Sequence, residues 1–338
     1  MKILYFGEVG DNQSWGITTI GNVTGLVGAG HRVWLRAKNT YGNVPTLVAN
    51  CMAYSFQPDV FINVGLANMM GDLSALDRKI KRVGQCCWDS SLVPENGCDY
   101  LNKEADGVIA LSQFTKKAFL DGGLKIPIHV GGIGVDTDLF QHIHRNPFRK
   151  PYTFVFTGVA QGRKGTQGLI TAFESVLGDN KDAQLIIKSN SWGKLDDYTV
   201  KCSNVKRIKE EYSRDQIAKL YHDSDCFVCP SHGDSFLMPG LEAMSTGLPL
   251  IITDFGGPRD YCTKETGYPV KYMLKDAGYI PGHQAEPDID DLAQKMLYVF
   301  EHPHDGIEKG NKGADIARER WTWQHDANNI SKFLGGLI

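Results

Sequence analysis

Two carboxylates in the last third of the chain have the spacing of a ligand site. Asp234 and Glu242 are separated by seven residues, with Pro239 and Gly240 between them. Proline suits the first turn of a helix, so we expect Asp234 on the loop before a short helix and Glu242 about one turn inside it. The free amides of a helix start favour an anion, and carboxylates accept hydrogen bonds from sugar hydroxyls. The alternative is an ordinary acidic helix face that follows a polar loop.

A second pattern places two adjacent cations between glycines. The segment G-V-A-Q-G-R-K-G, residues 158–165, follows a predicted strand and contains Arg163 and Lys164. Two cations in a glycine-flanked turn favour a phosphate cradle, because neighbouring side chains can then point toward one anion. The alternative is a solvated turn. Together the two patterns predict a site for a phosphorylated sugar.

These motifs resemble those of the GT-B glycosyltransferases of family 4. The segment from Ser231 to Pro258 resembles the E-x7-E signature of that family, with Asp234 in place of the first Glu and Glu242 as the second. The resemblance covers nearly the whole chain and includes G-G-I-G-V-D-T-D-L-F (131–140), R-K-G (163–165) and D-S-D-C-F-V-C-P-S (223–231). It implies an α/β protein of the GT-B class, with two Rossmann-like doubly wound domains facing across a cleft.

The resemblance also implies roles for the residues of the two motifs. Lys164 matches the family's Lys that pairs with donor phosphates, but Val159 stands where the family has an Arg. If two cations are needed, Arg163 supplies the second; the alternative is that Arg163 points to solvent and Lys164 acts alone. Asp234 would hold the transferred sugar and Glu242 the ribose. The residues that lead into the helix holding the diphosphate are Phe236, Leu237 and Met238.

Other candidate residues lie on loops that the resemblance places near the substrates. The glycine-punctuated loop 7–16 would close over the donor diphosphate through Ser14, Trp15 and Gly16, or it is a flexible surface loop. Asp89 stands near the position where many members of the family have a His that contacts the transferred sugar. Asp89 would orient the sugar or an acceptor hydroxyl; the alternative is that it is a solvated loop acid. The nucleotide base would lie near Arg207 and Ile208, where backbone contacts usually recognise it.

Short apolar runs alternate with helical stretches along the chain, as in doubly wound folds. We predict an N-terminal Rossmann-like, acceptor-side domain at 1–146, a nucleotide-sugar-binding domain at 147–320 and a final helix at 321–338 that packs back on the first domain. The basic, proline-containing segment from Arg145 to Pro151 is the predicted linker. The opening unit lacks G-x-G-x-x-G, so a bound NAD is not expected.

Composition excludes several classes of protein. The 338 residues, 42% of them hydrophobic, suffice for two cores, and a net charge of −3 gives no electrostatic signal for nucleic acid. No apolar run is long enough for a transmembrane segment, and the N-terminal residues are too quickly polar for a secretory signal, so a cytoplasmic location is expected. The 8 cysteines are scattered and are predicted to be reduced core thiols.

The sequence therefore predicts a retaining glycosyltransferase that moves a hexose from a UDP- or GDP-linked donor to an acceptor hydroxyl. The acceptor is a glycan, lipid or protein, no cofactor is permanently bound, and no metal site is expected. Three alternatives remain open: a nucleotide-sugar epimerase of the same fold, a phosphorylase, for which no pyridoxal lysine motif is visible, and a non-catalytic protein that binds nucleotide sugars or glycans.

Overall fold

The computed structural model describes residues 1–66, 73–74, 77–190 and 193–338, and the chain divides into two compact units. Unit 1 consists of Met1–Asp136, Asp276–His283 and Glu319–Ile338, and unit 2 consists of Thr137–Lys275 and Gln284–Arg318. Each unit contains a six-stranded parallel sheet with helices packed on it. The predicted pair of doubly wound α/β domains is therefore confirmed.

Unit 1 is built on a sheet of strand order β2-β1-β3-β4-β5-β6, and apolar clusters cover both of its faces. Buried parallel strands need apolar residues on both faces, which explains the nearly continuous apolar runs. The elements are β1 (Lys2–Val9), α1 (Ser14–Gly28), β2 (Arg32–Thr40), α2 (Thr46–Met52), β3 (Val60–Leu66), β4 (Lys81–Cys87), α3 (Glu95–Glu104), β5 (Gly107–Ala110), α4 (Gln113–Asp121) and β6 (Ile128–Val130).

Unit 2 repeats this design with the order β12-β11-β10-β7-β8-β9, and a separate two-stranded sheet, β13-β14, follows in the chain. The elements are β7 (Tyr152–Thr157), α5 (Thr166–Leu177), β8 (Ala183–Lys188), β9 (Val205–Ile208), α6 (Arg214–His222), β10 (Cys226–Cys229), α7 (Met238–Ser245), β11 (Leu250–Thr253), β12 (Gly267–Val270), β13 (Tyr272–Asp276), β14 (His283–Pro287), α8 (Ile289–Glu301) and α9 (Pro303–Arg320).

The last helix, α10 (Trp323–Gly335), begins at Thr322, whose side chain accepts a hydrogen bond from the backbone N–H of His325. Its buried residues Ala327, Ile330 and Leu334 join the apolar cluster that α1 forms with one face of the unit 1 sheet. No helix of the described ranges combines the length and the hydropathy that a membrane span requires.

The glycine-rich segment after the first strand is the clearest error of the sequence-based prediction. Residues 7–16 were expected to form one loop, but β1 continues to Val9 and α1 begins at Ser14. A Cβ atom on Gly16 would lie 2.3 Å from the carbonyl oxygen of Gly10, so a glycine is required where the helix start packs on the preceding backbone. Ser14, Trp15 and Gly16 therefore form the first helical turn rather than a flexible loop.

The predicted linker is a packed part of unit 2. Arg145 lies among backbone carbonyls. Its guanidinium donates to the oxygens of Tyr221, in the last turn of α6, and of Ser224, just after it, and to those of Thr246 and Gly247, after α7. Carbonyls at helix C-termini lack intrahelical partners and attract cations. The division after Asp136 therefore precedes the expected boundary at 146/147.

Candidate active site

The candidate site is built on the loop between β10 and α7, residues Ser231–Leu237, called the carboxylate loop below. The buried strand β10 delivers the chain to this loop, and Pro239 lies in the first turn of α7, as the sequence predicted. Asp234 is only 6% exposed. A buried carboxylate needs partners, so the groups around it decide whether it can remain ionised.

Asp234 brings together the two predicted cations. Its Oδ1 accepts from the Nζ of Lys164 at 2.6 Å and from the Nη1 of Arg163 at 3.1 Å, and its Oδ2 accepts from the Oγ of Ser231 at 2.5 Å. Arg163 also donates to the carbonyl oxygen of Gly233. Two adjacent cations thus meet a carboxylate that is distant from them in the sequence, and we call Arg163, Lys164 and Asp234 the charge cluster.

The two cations reach Asp234 from a short 3-10 turn, Gly162–Lys164, which is followed by Gly165 in the left-handed region. The backbone N–H of His232 donates to the carbonyl oxygen of Arg163 at 2.8 Å. This bond joins the turn to the carboxylate loop. The cations therefore stand on a fixed backbone and do not depend on a long flexible loop.

The charges of this cluster determine the protonation of Asp234. Burial of the carboxyl alone would raise its pKa, but Lys164 and Arg163 outweigh burial and lower the pKa of Asp234 from 3.8 to about 2. Asp234 is therefore an anion throughout the physiological pH range. Its two cationic neighbours are in turn paired with one buried negative group.

The carboxylate loop ends in a strained residue. Leu237 adopts φ 65° and ψ 68°, a left-handed conformation that is unfavourable for a leucine. The hydroxyl of Tyr261 donates to its carbonyl oxygen at 2.8 Å, and the backbone N–H of Gly240 donates to the same oxygen at 3.0 Å. Phe236, Leu237 and Met238 are buried at the start of α7. Such strain is typical of sites that hold a ligand.

A glycine-containing turn that includes Gly257 packs against the carboxylate loop. The backbone N–H of Gly257 donates to the carbonyl oxygen of Asp234 at 2.8 Å. A Cβ atom on Gly257 would lie 1.9 Å from the carbonyl oxygen of Ser235, so no larger residue fits there. The segment T-D-F-G-G-P thus fixes the backbone that carries Asp234.

Glu242 lies where the spacing predicted, in the second turn of α7, and it is 4% exposed. Its Oε1 accepts from the Nη2 of Arg214 at 2.7 Å. Sequence reasoning missed Arg214. The available signal was a cation at the first position of α6, after the cap Ser213, where the helix dipole disfavours positive charge.

The remaining candidates are not part of the charge cluster. Arg207 is exposed and donates to the carbonyl oxygen of Leu195 at 3.1 Å, and Ile208 ends β9 beside Lys188 of β8. Asp89 belongs to unit 1, where it follows β4 and is half-buried. Ser14, Trp15 and Gly16 also belong to unit 1, in the first turn of α1.

One buried cation of unit 2 was not anticipated. Lys188 is 5% exposed, and its Nζ donates to the carbonyl oxygen of Ser189 at 2.7 Å and lies 5.1 Å from the centre of the Tyr212 ring. Burial lowers the pKa of Lys188, although Glu211 and Glu210 act in the opposite direction. A single lysine after an apolar strand gives no sequence signal that its side chain turns inward.

Part of the chain is similar to a known protein family. Residues 140–303 match the glycosyl transferases group 1 family. This range contains the charge cluster, Arg214 and Glu242. The match covers just under half of the 338 residues and supports the predicted glycosyltransferase class.

Solved structures confirm the GT-B fold. A sucrose-phosphate synthase from Thermosynechococcus elongatus aligns over 100% of this chain and 99% of its own, with a TM-score of 0.75 and 15% identity. An Anabaena protein in complex with UDP-glucose aligns over 99% of this chain and 100% of its own, with a TM-score of 0.73 and 16% identity.

The relatives found by sequence align with only part of this chain. A serotype-specific mannosyltransferase of Escherichia coli is 28% identical over 54% of this chain and 21% of its own length. A GDP-mannose-dependent alpha-mannosyltransferase of Mycolicibacterium smegmatis is 29% identical over 48% of this chain and 43% of its own. An uncharacterised protein of Sulfolobus islandicus rod-shaped virus 1 is 26% identical over 51% of each chain. The alignment thus spans about half or less of each of these relatives.

Proposed function

We propose that the chain is a retaining glycosyltransferase of family 4 that transfers a hexose from a nucleotide diphosphate sugar to an acceptor hydroxyl without a metal ion. The observation that supports this most strongly is the charge cluster, in which two cations meet one buried carboxylate just before a helix start. Cations and free helix amides together suit a diphosphate.

In the proposed reaction, phosphate oxygens of the donor replace the Asp234 carboxylate at Arg163 and Lys164. The bond between C1 of the sugar and the β-phosphate oxygen breaks, and the acceptor oxygen bonds to C1 on the same face. The proton of the acceptor hydroxyl passes to the leaving phosphate. The protein contributes position and charge stabilisation, because no residue has to act as a strong base.

Asp234, once released from its cations, would accept a hydrogen bond from a hydroxyl of the transferred sugar. Glu242 would accept from the ribose hydroxyls. Asp89 is proposed to orient the acceptor or the sugar, and Asp89→Asn tests that role separately by its effect on turnover. Binding of the base near Arg207 and Ile208, and of the diphosphate near Ser14–Gly16, also remain proposals.

GDP-mannose is the first donor that we would test, since two relatives are named as mannosyltransferases and one of these as GDP-mannose-dependent. UDP-glucose is the second, because the Anabaena structure contains it. The acceptor is proposed to be a glycan, a lipid or a protein.

The test is turnover of both donors by the purified chain in excess EDTA, with and without a panel of sugar acceptors. The matched control for Lys164→Met is Lys295→Met, because Lys295 forms an equally close ion pair with Asp291 on α8. We expect donor consumption by the wild type and the control, slowed roughly 100-fold in Lys164→Met, which corresponds to about 3 kcal/mol.

Three results would count against the proposal. Activity that is lost in EDTA and restored by magnesium or manganese would contradict metal independence. Binding of a nucleotide sugar without any turnover would favour a non-catalytic binding protein, and interconversion of the donor sugar would favour an epimerase.

A further inference from the structure

Arg214 occupies a position that its own helix disfavours. It is the first residue of α6, after a capping box in which the Ser213 and Gln216 side chains bond to each other's backbone N–H groups. The positive end of the helix dipole lies at this end, so a cation here is unfavourable unless another group compensates for it. The compensating group is Glu242, 28 residues further along the chain.

The pair is almost enclosed. The Arg214 side chain is 20% exposed and that of Glu242 is 5% exposed. On its other side, the guanidinium carbon of Arg214 lies 4.8 Å from the centre of the Phe140 ring. Phe140 is itself fully buried, and its carbonyl oxygen accepts from the Oγ of Ser245 on α7 at 2.8 Å. A planar guanidinium between a ring and a carboxylate has little freedom to turn.

The two helices that carry the pair are also joined at their other ends. Arg145 donates to carbonyls at the C-terminus of α6 and at the C-terminus of α7. Because both ends are fixed, the Arg214–Glu242 contact does not depend on a chance approach of two mobile helices. The Oε1 atom of Glu242 is thus bound by a residue whose helix is anchored at its far end.

We infer that Arg214 is a positioning residue for ribose recognition: it binds Oε1 of Glu242 and thereby presents Oε2 to the ribose hydroxyls of the nucleotide. The inference rests on the proposed function, since it assigns the same site a nucleotide with a ribose. It adds that selection of ribose over deoxyribose is set by the pair of residues and not by Glu242 alone. A carboxylate held by an arginine loses less conformational freedom when it binds hydroxyls.

The experiment measures the affinities of UDP and 2′-deoxy-UDP, and of GDP and 2′-deoxy-GDP, by calorimetry for the wild type and three variants. These are Arg214→Met, Arg214→Lys and the control Lys295→Met, which breaks a similarly buried ion pair on α8. We expect the wild type to prefer the ribonucleotide roughly 10-fold, the lower range for a charged hydrogen bond. Arg214→Met should lose this preference through weaker ribonucleotide binding, with deoxyribonucleotide binding changed less than about twofold.

Arg214→Lys keeps the charge but lacks the planar fork, so its preference should lie between those of the wild type and Arg214→Met. It also provides a folded variant if Arg214→Met does not fold, which a thermal melt reveals. The control should retain the full preference. If Arg214 were mainly structural, its replacement would weaken the binding of both nucleotides equally. The inferred role instead changes the ratio of the ribonucleotide affinity to the deoxyribonucleotide affinity.

Three outcomes would overturn the inference. An unchanged ribose preference in folded Arg214→Met or Arg214→Lys would show that Glu242 does not need the arginine. Equal losses of affinity for the ribonucleotide and the deoxyribonucleotide would show that Arg214 only stabilises the fold. Binding of neither diphosphate by the wild type would refute the proposed function itself and the inference with it, a result that is distinct from the first two.

Discussion

Replacement of Asp234 by asparagine separates two proposed effects of its carboxylate: competition with the donor phosphate for Arg163 and Lys164, and binding of the transferred sugar. The Asp234 carboxylate lies 3.1 Å from the Arg163 guanidinium and 2.6 Å from the Lys164 ammonium, so in the proposed function a donor phosphate must compete with it for both cations. The asparagine side chain is close to aspartate in shape but neutral. We therefore expect Asp234→Asn to bind a nucleoside diphosphate more tightly than the wild type and to transfer sugar more slowly.

The expected gain in affinity follows from the competing contact. A hydrogen bond to a charged group contributes about 1.5–3 kcal/mol, and the amide oxygen retains part of it, so we expect about 1–1.5 kcal/mol, or roughly a tenfold lower Kd. Turnover should fall because the amide holds the sugar hydroxyl less well than the anion does. Calorimetry with GDP and UDP gives the first quantity and steady-state kinetics the second.

The same variant should be less stable. The pKa of Asp234 falls from 3.8 to about 2 in the folded state, which corresponds to about 2 kcal/mol of stability. A depressed pKa stabilises above the unfolded value, so this contribution is complete at neutral pH and is lost as the pH falls from about 4 toward 2. Asp234 therefore stays ionised between about pH 5 and pH 8.

The control is Asp223→Asn, which removes an exposed carboxylate paired with Lys219 and should change neither binding nor turnover. Diphosphate binding by Asp234→Asn that is unchanged or weaker, together with normal turnover, would refute the reasoning. In that case Asp234 would neither compete with phosphate nor hold the sugar.

Four further substitutions test other parts of the site. Arg163→Ala and Lys164→Ala should each slow transfer roughly 100-fold, about 3 kcal/mol, while nucleoside monophosphate binding changes far less; normal turnover of Arg163→Ala would leave the lysine as the single required cation. Glu242→Ala should weaken nucleotide binding by about 1.5–3 kcal/mol, and an unchanged Kd by calorimetry in a folded variant would exclude ribose binding by Glu242. Tyr261→Phe removes the hydroxyl that supports Leu237 and should lower the free energy of unfolding by about 1 kcal/mol, measured by urea denaturation; a value equal to wild type would argue against that support.

The regular elements of the fold were predictable where local rules decide them. Ser112, Ser213 and Asp288 cap α4, α6 and α8, and each side chain accepts a hydrogen bond from a backbone N–H in the first turn of its helix. The strands β13 and β14 were not predicted, because their sequences Y-M-L-K-D and H-Q-A-E-P lack a clear apolar alternation. Local pattern is a weak guide for a two-stranded ribbon.

The start of α1 was misplaced for a different reason. Four glycines between residues 7 and 21 favour a loop by propensity, but Gly16 is needed for close packing on Gly10. Tertiary contact outweighed propensity there. The role of Arg145 was also hard to predict. Its guanidinium binds backbone carbonyls at the C-termini of α6 and α7, and these carbonyls come together only when both helices have formed.

The site itself was partly visible in the sequence. Arg163, Lys164, Asp234 and Glu242 were each singled out from the sequence, but the ion pairs that join Asp234 to the two cations were not predicted. The pairing of Arg214 with Glu242 was not predictable, because the two residues belong to different helices and only the fold sets their distance.

A structure of the chain bound to a nucleoside diphosphate tests the central claim most directly. We predict β-phosphate oxygens within hydrogen-bonding distance, about 3.2 Å or less, of both the Arg163 guanidinium and the Lys164 ammonium, with Asp234 no longer bonded to either cation. A diphosphate bound elsewhere, with Asp234 still paired to Arg163 and Lys164, would contradict the assignment of the charge cluster as the phosphate site.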